Sequence, residues 1–122
     1  MIQKVLLLHP GEMGASIGSA LMSNKHQVVW TSKNRSNFTK SRASKNQFFD
    51  KATLVKAVNY CDHIIVICPP TAAIEVAFSV KKIGFKGIYI DANAISPSTA
   101  LKIQGITGPR FVDGGIIGPP AW

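Results

Sequence analysis

The sequence predicts an α/β fold: a doubly wound parallel sheet of about six strands in a single domain. Three observations predict it. Short β-rich apolar runs alternate with helical segments along all 122 residues, the pattern of consecutive βαβ units. The strand runs are almost continuously apolar, as sheets covered on both faces require. The first run passes through a glycine-containing turn straight into a helix. A chain of this length has room for one core. Its composition of 46% hydrophobic and 16% charged residues is that of a packed globular chain.

Taken in order, Lys4–Leu8 reads as a buried strand and residues 13–24 as a helix, with Met13, Ile17, Ala20 and Leu21 recurring on one face. Residues 27–31 form the second strand. A basic stretch follows and reads as loop, and a brief strand at 47–49 precedes a helix opened by Asp50 as N-cap. That helix carries Leu54, Ala57, Val58 and Cys61 on its apolar side. Residues 63–68 are the fourth strand, stopped by Pro69-Pro70. A helix at 72–82 buries Ile74, Ala77 and Phe78, and residues 87–91 are the fifth strand. Ser96 caps a helix with Pro97 at its first position, running to about residue 103, and 110–113 is the sixth strand.

The longest apolar runs fall far short of the roughly 20 residues a membrane helix needs, and the N-terminal run is too short for a signal peptide. No membrane association and a cytoplasmic location are expected. Cys61 and Cys68 form no C-x-x-C pair and read as reduced, structural thiols. His9 has no acid, histidine or cysteine at partner spacing, so no metal site is expected. Net charge is +8, and Lys33, Arg35, Lys40, Arg42 and Lys45 crowd one acid-free stretch. Nucleic-acid binding would want aromatic residues interleaved with that charge, and only Phe38 is there. Nucleic acid is therefore not the expected partner.

The turn after the first strand reads His9-Pro10-Gly11-Glu12-Met13-Gly14. The dinucleotide fingerprint G-x-G-x-x-G occupies this strand–turn–helix position in a Rossmann-like sheet. Gly11 falls at the second glycine, whose missing Cβ leaves room for a pyrophosphate. Gly14 falls at the third, which allows close helix–sheet packing, with Gly18 one turn on. The following helix offers free N–H groups to phosphate. His9 replaces the first glycine, and histidine accepts positive φ better than most residues. Pro10, Gly11, Glu12, Met13 and Gly14 are thus candidate cofactor contacts.

An NAD site has an acid about 20 residues past the glycines. Here that point is Thr31-Ser32-Lys33-Asn34-Arg35, with no carboxylate between Glu12 and Asp50. A hydroxyl and a guanidinium suit a 2′-phosphate. NADP rather than NAD is expected, with Ser32, Lys33 and Arg35 as contacts and Thr39 and Arg42 as further candidates.

Four motifs occur in register: Pro10-Gly11-Glu12-Met13-Gly14, Cys68-Pro69-Pro70, Asp91-Ala92-Asn93-Ala94-Ile95-Ser96-Pro97 and Val112-Asp113-Gly114-Gly115-Ile116-Ile117-Gly118-Pro119-Pro120. Together they resemble the 6-phosphogluconate dehydrogenase / β-hydroxyacid dehydrogenase superfamily, in the branch of phosphogluconate-dehydrogenase-like oxidoreductases. The resemblance covers essentially the whole chain. It implies that Cys68, Pro69 and Pro70 lie along the cofactor's ribose on the nicotinamide side, and that Asn93 lies near that ribose. Asn93 has an alternative role in a structural Asx turn, and Asp113 reads as loop-shaping. The resemblance also implies a substrate loop at Ile117-Gly118-Pro119, where the family's Ser-Gly-Gly element has lost its serine.

The family's catalytic lysine comes from a helical domain following this loop, so residues 1–122 are expected to be the NAD(P)-binding domain without that partner, holding no catalytic residue. Turnover of a small-molecule substrate would require a helical domain from a separate chain, or a homodimer formed through the open end. A non-catalytic NADP-sensing or nucleic-acid-binding module is the alternative. Methyltransferases with a related Pro-Pro need Asn or Asp before it and an aromatic after it, which Cys68 and Thr71 do not supply.

Overall fold

Alternation of buried side chains decides how the strands stack. In a computed structural model, which describes residues 2–9 and 11–116, strand β1 (Lys4–Leu8) sends Leu6 and Leu8 into one core and Leu7 into another. Both faces are covered, which is why the run is apolar throughout. Beyond it lie α1 (Glu12–Ser23), β2 (Gln27–Trp30), α2 (Asn37–Lys45), β3 (Phe49–Asp50) and α3 (Leu54–Tyr60). Then come β4 (His63–Val66), α4 (Ala73–Ile83), β5 (Ile88–Asp91), α5 (Pro97–Thr107) and β6 (Phe111–Asp113).

The strands form one parallel sheet in the order β3-β2-β1-β4-β5-β6. Leu6 sits level with Val29 on one side and Ile64 on the other. The winding direction reverses between β1 and β4, so a crevice opens beyond their carboxyl ends, where α/β sheets of this order bind ligands. The larger core packs Leu6, Val29, Ile64 and Tyr89 against Ala57, Ala77, Val80 and Ile103 from α3, α4 and α5. The smaller packs Leu7, Val28 and Trp30 against Ala15 and Ala43, with Phe48 sealing it. Each fully buried aliphatic side chain contributes about 1.5–3 kcal/mol.

The predicted doubly wound α/β class is the one observed, and four local expectations are corrected. The helix α1 buries Gly14, Ala15, Ser16 and Gly18 and leaves Ala20 exposed, with Met13, Ile17 and Leu21 half-buried. Small residues turn inward because the helix lies too close to the sheet for larger ones. The basic stretch contains a helix, α2, capped by Ser36, whose hydroxyl accepts from the Thr39 N–H. Asp50 ends β3 and does not cap α3; Thr53 does, accepting from Lys56 N–H. Asp50 instead holds the turn, its Oδ1 accepting from Ser32 N–H at 3.2 Å and Ala52 N–H at 2.7 Å. On α4 the buried residues are Ala73, Ala77 and Val80, while Phe78 is 53% exposed. The Ser96–Pro97 start of α5 is as expected, with Ser96 Oγ accepting from Thr99 N–H.

Candidate nucleotide site at the sheet switch point

The turn between β1 and α1 is closed by its own backbone. His9 adopts φ +65°, the left-handed conformation, and its carbonyl accepts the Gly11 N–H at 2.7 Å. A Cβ on Gly14 would stand 2.9 Å from that carbonyl, so glycine is needed for the helix to approach the turn. A Cβ on Gly18 would meet the Phe48 ring at 2.5 Å and Leu7 at 3.1 Å, which makes Gly18 the residue that lets α1 lie on the sheet side. Gly11 differs: a Cβ there would have only the His9 carbonyl, at 4.0 Å. Among the described residues nothing else comes within 4 Å of that position. The first-turn N–H groups of α1 lack intrahelical acceptors by geometry, and Gly11 as N-cap offers no side chain to take them. Glu12, exposed, is the acid of that turn. Pro10 lies outside the described residues, as do Ile117, Gly118 and Pro119.

Beside the turn lies a cavity of about 290 Å³ whose walls include His9, Thr31, Lys33, Arg35, Glu75 and Ser79. It joins His9, at the start of the glycine turn, to the end of β2, bringing two of the three predicted phosphate contacts, Lys33 and Arg35, to one place. Ser32 is not among the walls; its N–H is spent on Asp50. Thr39, the further candidate, is tied to Ser36 in the α2 cap. Burial, and next the Arg35 guanidinium, hold the His9 imidazole below its ordinary pKa. Glu75, in the first turn of α4, is a carboxylate that sequence reasoning missed. Its signal was available, since the residues opening the helix after a strand's carboxyl end face the same crevice.

Across the switch point, Cys68 and Asn93 meet. Asn93 is 6% exposed; its Oδ1 accepts the Cys68 N–H at 2.8 Å and its Nδ2 reaches Cys68 Sγ at 3.5 Å. This side chain therefore clamps the loop after β4 to the loop after β5. Beneath it Asp91 is fully buried, with Oδ1 accepting the Asn93 N–H at 2.8 Å and Oδ2 without a partner. Burial raises the Asp91 pKa, against the opposing effect of the Asn93 hydrogen bonds. Burial likewise pushes the Cys61 thiol up to about 12 and raises that of Cys68. Both cysteines are free, and thiols so shifted are poor nucleophiles. Pro69 and Pro70 lead into a 3-10 turn at Pro70–Ala72 that feeds α4.

A parallel sheet in this order, with a glycine turn and a cavity carrying Lys33 and Arg35 at its switch point, has the architecture of a dinucleotide-binding domain. Residues 4–94 match the model of the family described as NADP oxidoreductase coenzyme F420-dependent, and the chain belongs to that family. It is 38% identical over 114 residues to an uncharacterized 28.5 kDa protein in the 7S RNA 5′ region of Methanothermus fervidus, covering 88% of this chain and 43% of that protein. Among solved structures, a conserved protein of unknown function with structural similarity to 3-hydroxyacid dehydrogenases superposes with TM-score 0.85 at 28% identity, over 94% of this chain and 44% of its own. The 3-hydroxyisobutyrate dehydrogenase of Mycobacterium tuberculosis superposes equally well, at 0.85 and 20% identity, over 98% of this chain and 42% of that one. The chain thus spans less than half the length of these relatives. No helix among the described residues is long and apolar enough to cross a membrane.

Proposed function

We propose that this chain is the NADP(H)-binding part of an oxidoreductase that passes hydride between nicotinamide and a hydroxy- or carbonyl-bearing acid. The observation that carries the reading is the cavity shared by His9, which begins the glycine turn, and the Lys33–Arg35 loop. The residues present fit the group. The open space at Gly11 and the α1 amides suit the pyrophosphate, and the Arg35 fork suits a 2′-phosphate. The nicotinamide, when bound, supplies or accepts the hydride. The chain's own part is to hold and orient: Asn93 fixes the Cys68 loop, and the Pro69–Pro70 turn shapes the far side of the crevice. Glu75, in the first turn of α4, adds one carboxylate to the lining beside Lys33 and Arg35.

The 122 residues are expected to bind nucleotide without turning over substrate, since a catalytic lysine is not among the matched motifs. Substrate-dependent NADPH oxidation by this chain alone would overturn that expectation. The nucleotide assignment is tested by Arg35→Glu, which should weaken NADPH at least tenfold more than NADH. Equal losses for the two nucleotides would refute the 2′-phosphate role.

A further inference from the structure

We infer that His9 couples NADP(H) binding to proton uptake: the imidazole in the first-glycine position gains a proton when a phosphate-bearing nucleotide fills the cavity it shares with Arg35. The inference rests on the nucleotide reading above and adds to it a role for the residue that departs from the fingerprint. A glycine there would serve the turn alone. His9 serves the turn at φ +65° with its carbonyl holding the Gly11 N–H, and in addition it is an ionisable residue that lines the cavity, its imidazole within the field of Arg35. The backbone that carries the side chain is held from two sides, by that hydrogen bond and by the close approach of Gly14.

The charged groups around the cavity are Lys33 and Arg35 from the loop after β2 and Glu75 from the first turn of α4. Without ligand, burial and Arg35 favour the neutral ring. A phosphate facing Arg35 reverses the local potential, and an anion close to an imidazole favours its charged form. The complex then binds more protons than the free protein, so affinity rises as pH falls through the window between the free value, below 6.5, and the higher bound one. The 2′-phosphate acts in the opposite sense. Its second ionisation lies near pH ~6, and a basic pocket makes it release a proton. The His9 contribution must therefore be read as a difference between proteins.

The test is calorimetric titration of the 122-residue chain with NADPH and with NADH at pH 6.5, in two buffers of different ionisation enthalpy. It is run on the wild type, His9→Asn and His9→Gly, both replacements being tolerant of positive φ. The wild type should take up about 0.3–1 proton more than either variant, and its affinity advantage over them should grow several-fold from pH 8 to pH 6. An excess seen with NADPH alone places the linked anion at the 2′-phosphate, and an equal excess with NADH places it at the pyrophosphate. Equal proton counts in all three proteins, with binding intact, would overturn the inference and leave the nucleotide reading standing. Failure of the wild type to bind either nucleotide would overturn both.

Discussion

Two glycines at the entry to α1 have different jobs, and single substitutions separate them. Among the described residues only the His9 carbonyl comes within 4 Å of a Cβ at Gly11, so Gly11→Val should cost about 1 kcal/mol of stability, as a change of N-cap, yet reduce NADPH affinity beyond measurement. Gly14→Ala drives a methyl against a backbone carbonyl that cannot move aside; a loss of about 1–3 kcal/mol is expected in urea unfolding. Comparing the midpoint of each variant with its nucleotide titration distinguishes a binding glycine from a packing one. Asp91 gives a pH-dependent case. Its folded pKa is raised, so the folded state holds the proton more tightly than the unfolded one. Stability is then lost as pH rises from the unfolded value through the folded one. Asp91→Asn cannot ionise, and its unfolding midpoint should gain on the wild type between pH 4 and pH 7. Parallel pH profiles for the two proteins would contradict the assignment.

At the scale of elements, sequence and structure agree most closely at the start of α5. Ser96 before Pro97 announces α5, and Ser96→Ala should cost about 1 kcal/mol in chemical unfolding while leaving nucleotide affinity unchanged. The helix α2 was not legible in the same way. Its sequence, Asn37-Phe38-Thr39-Lys40-Ser41-Arg42-Ala43-Ser44-Lys45, buries only Ala43, so there is no apolar period to read. In α1 the periodicity of large apolar residues points to one face, while the glycines bring the small-residue face inward. Asp50 looked like an N-cap because the type is right for one. Its partners, Ser32 and Ala52, come from a turn whose geometry exists only once β2 and β3 are paired.

For the whole molecule, strand alternation and the glycine turn made the sheet and its switch point legible, since both follow from local sequence. The site's walls were half legible. Lys33 and Arg35 announced themselves by the absence of an acid at the end of β2, and Glu75 was open to a similar reading from its place in the first turn of the helix after β4, whereas the Asn93–Cys68 clamp depends on a contact between distant elements, to which no local pattern points. The charge of +8 belongs to this scale as well. If the basic loop attracts phosphate, NADPH affinity should fall several-fold between 50 mM and 500 mM salt and NADH affinity much less. The measurement closest to the central claim is a titration of the folded 122-residue chain with NADPH and NADH side by side. The account predicts saturable binding with NADPH at least tenfold tighter. A folded chain that binds neither, or that prefers NADH, would contradict it.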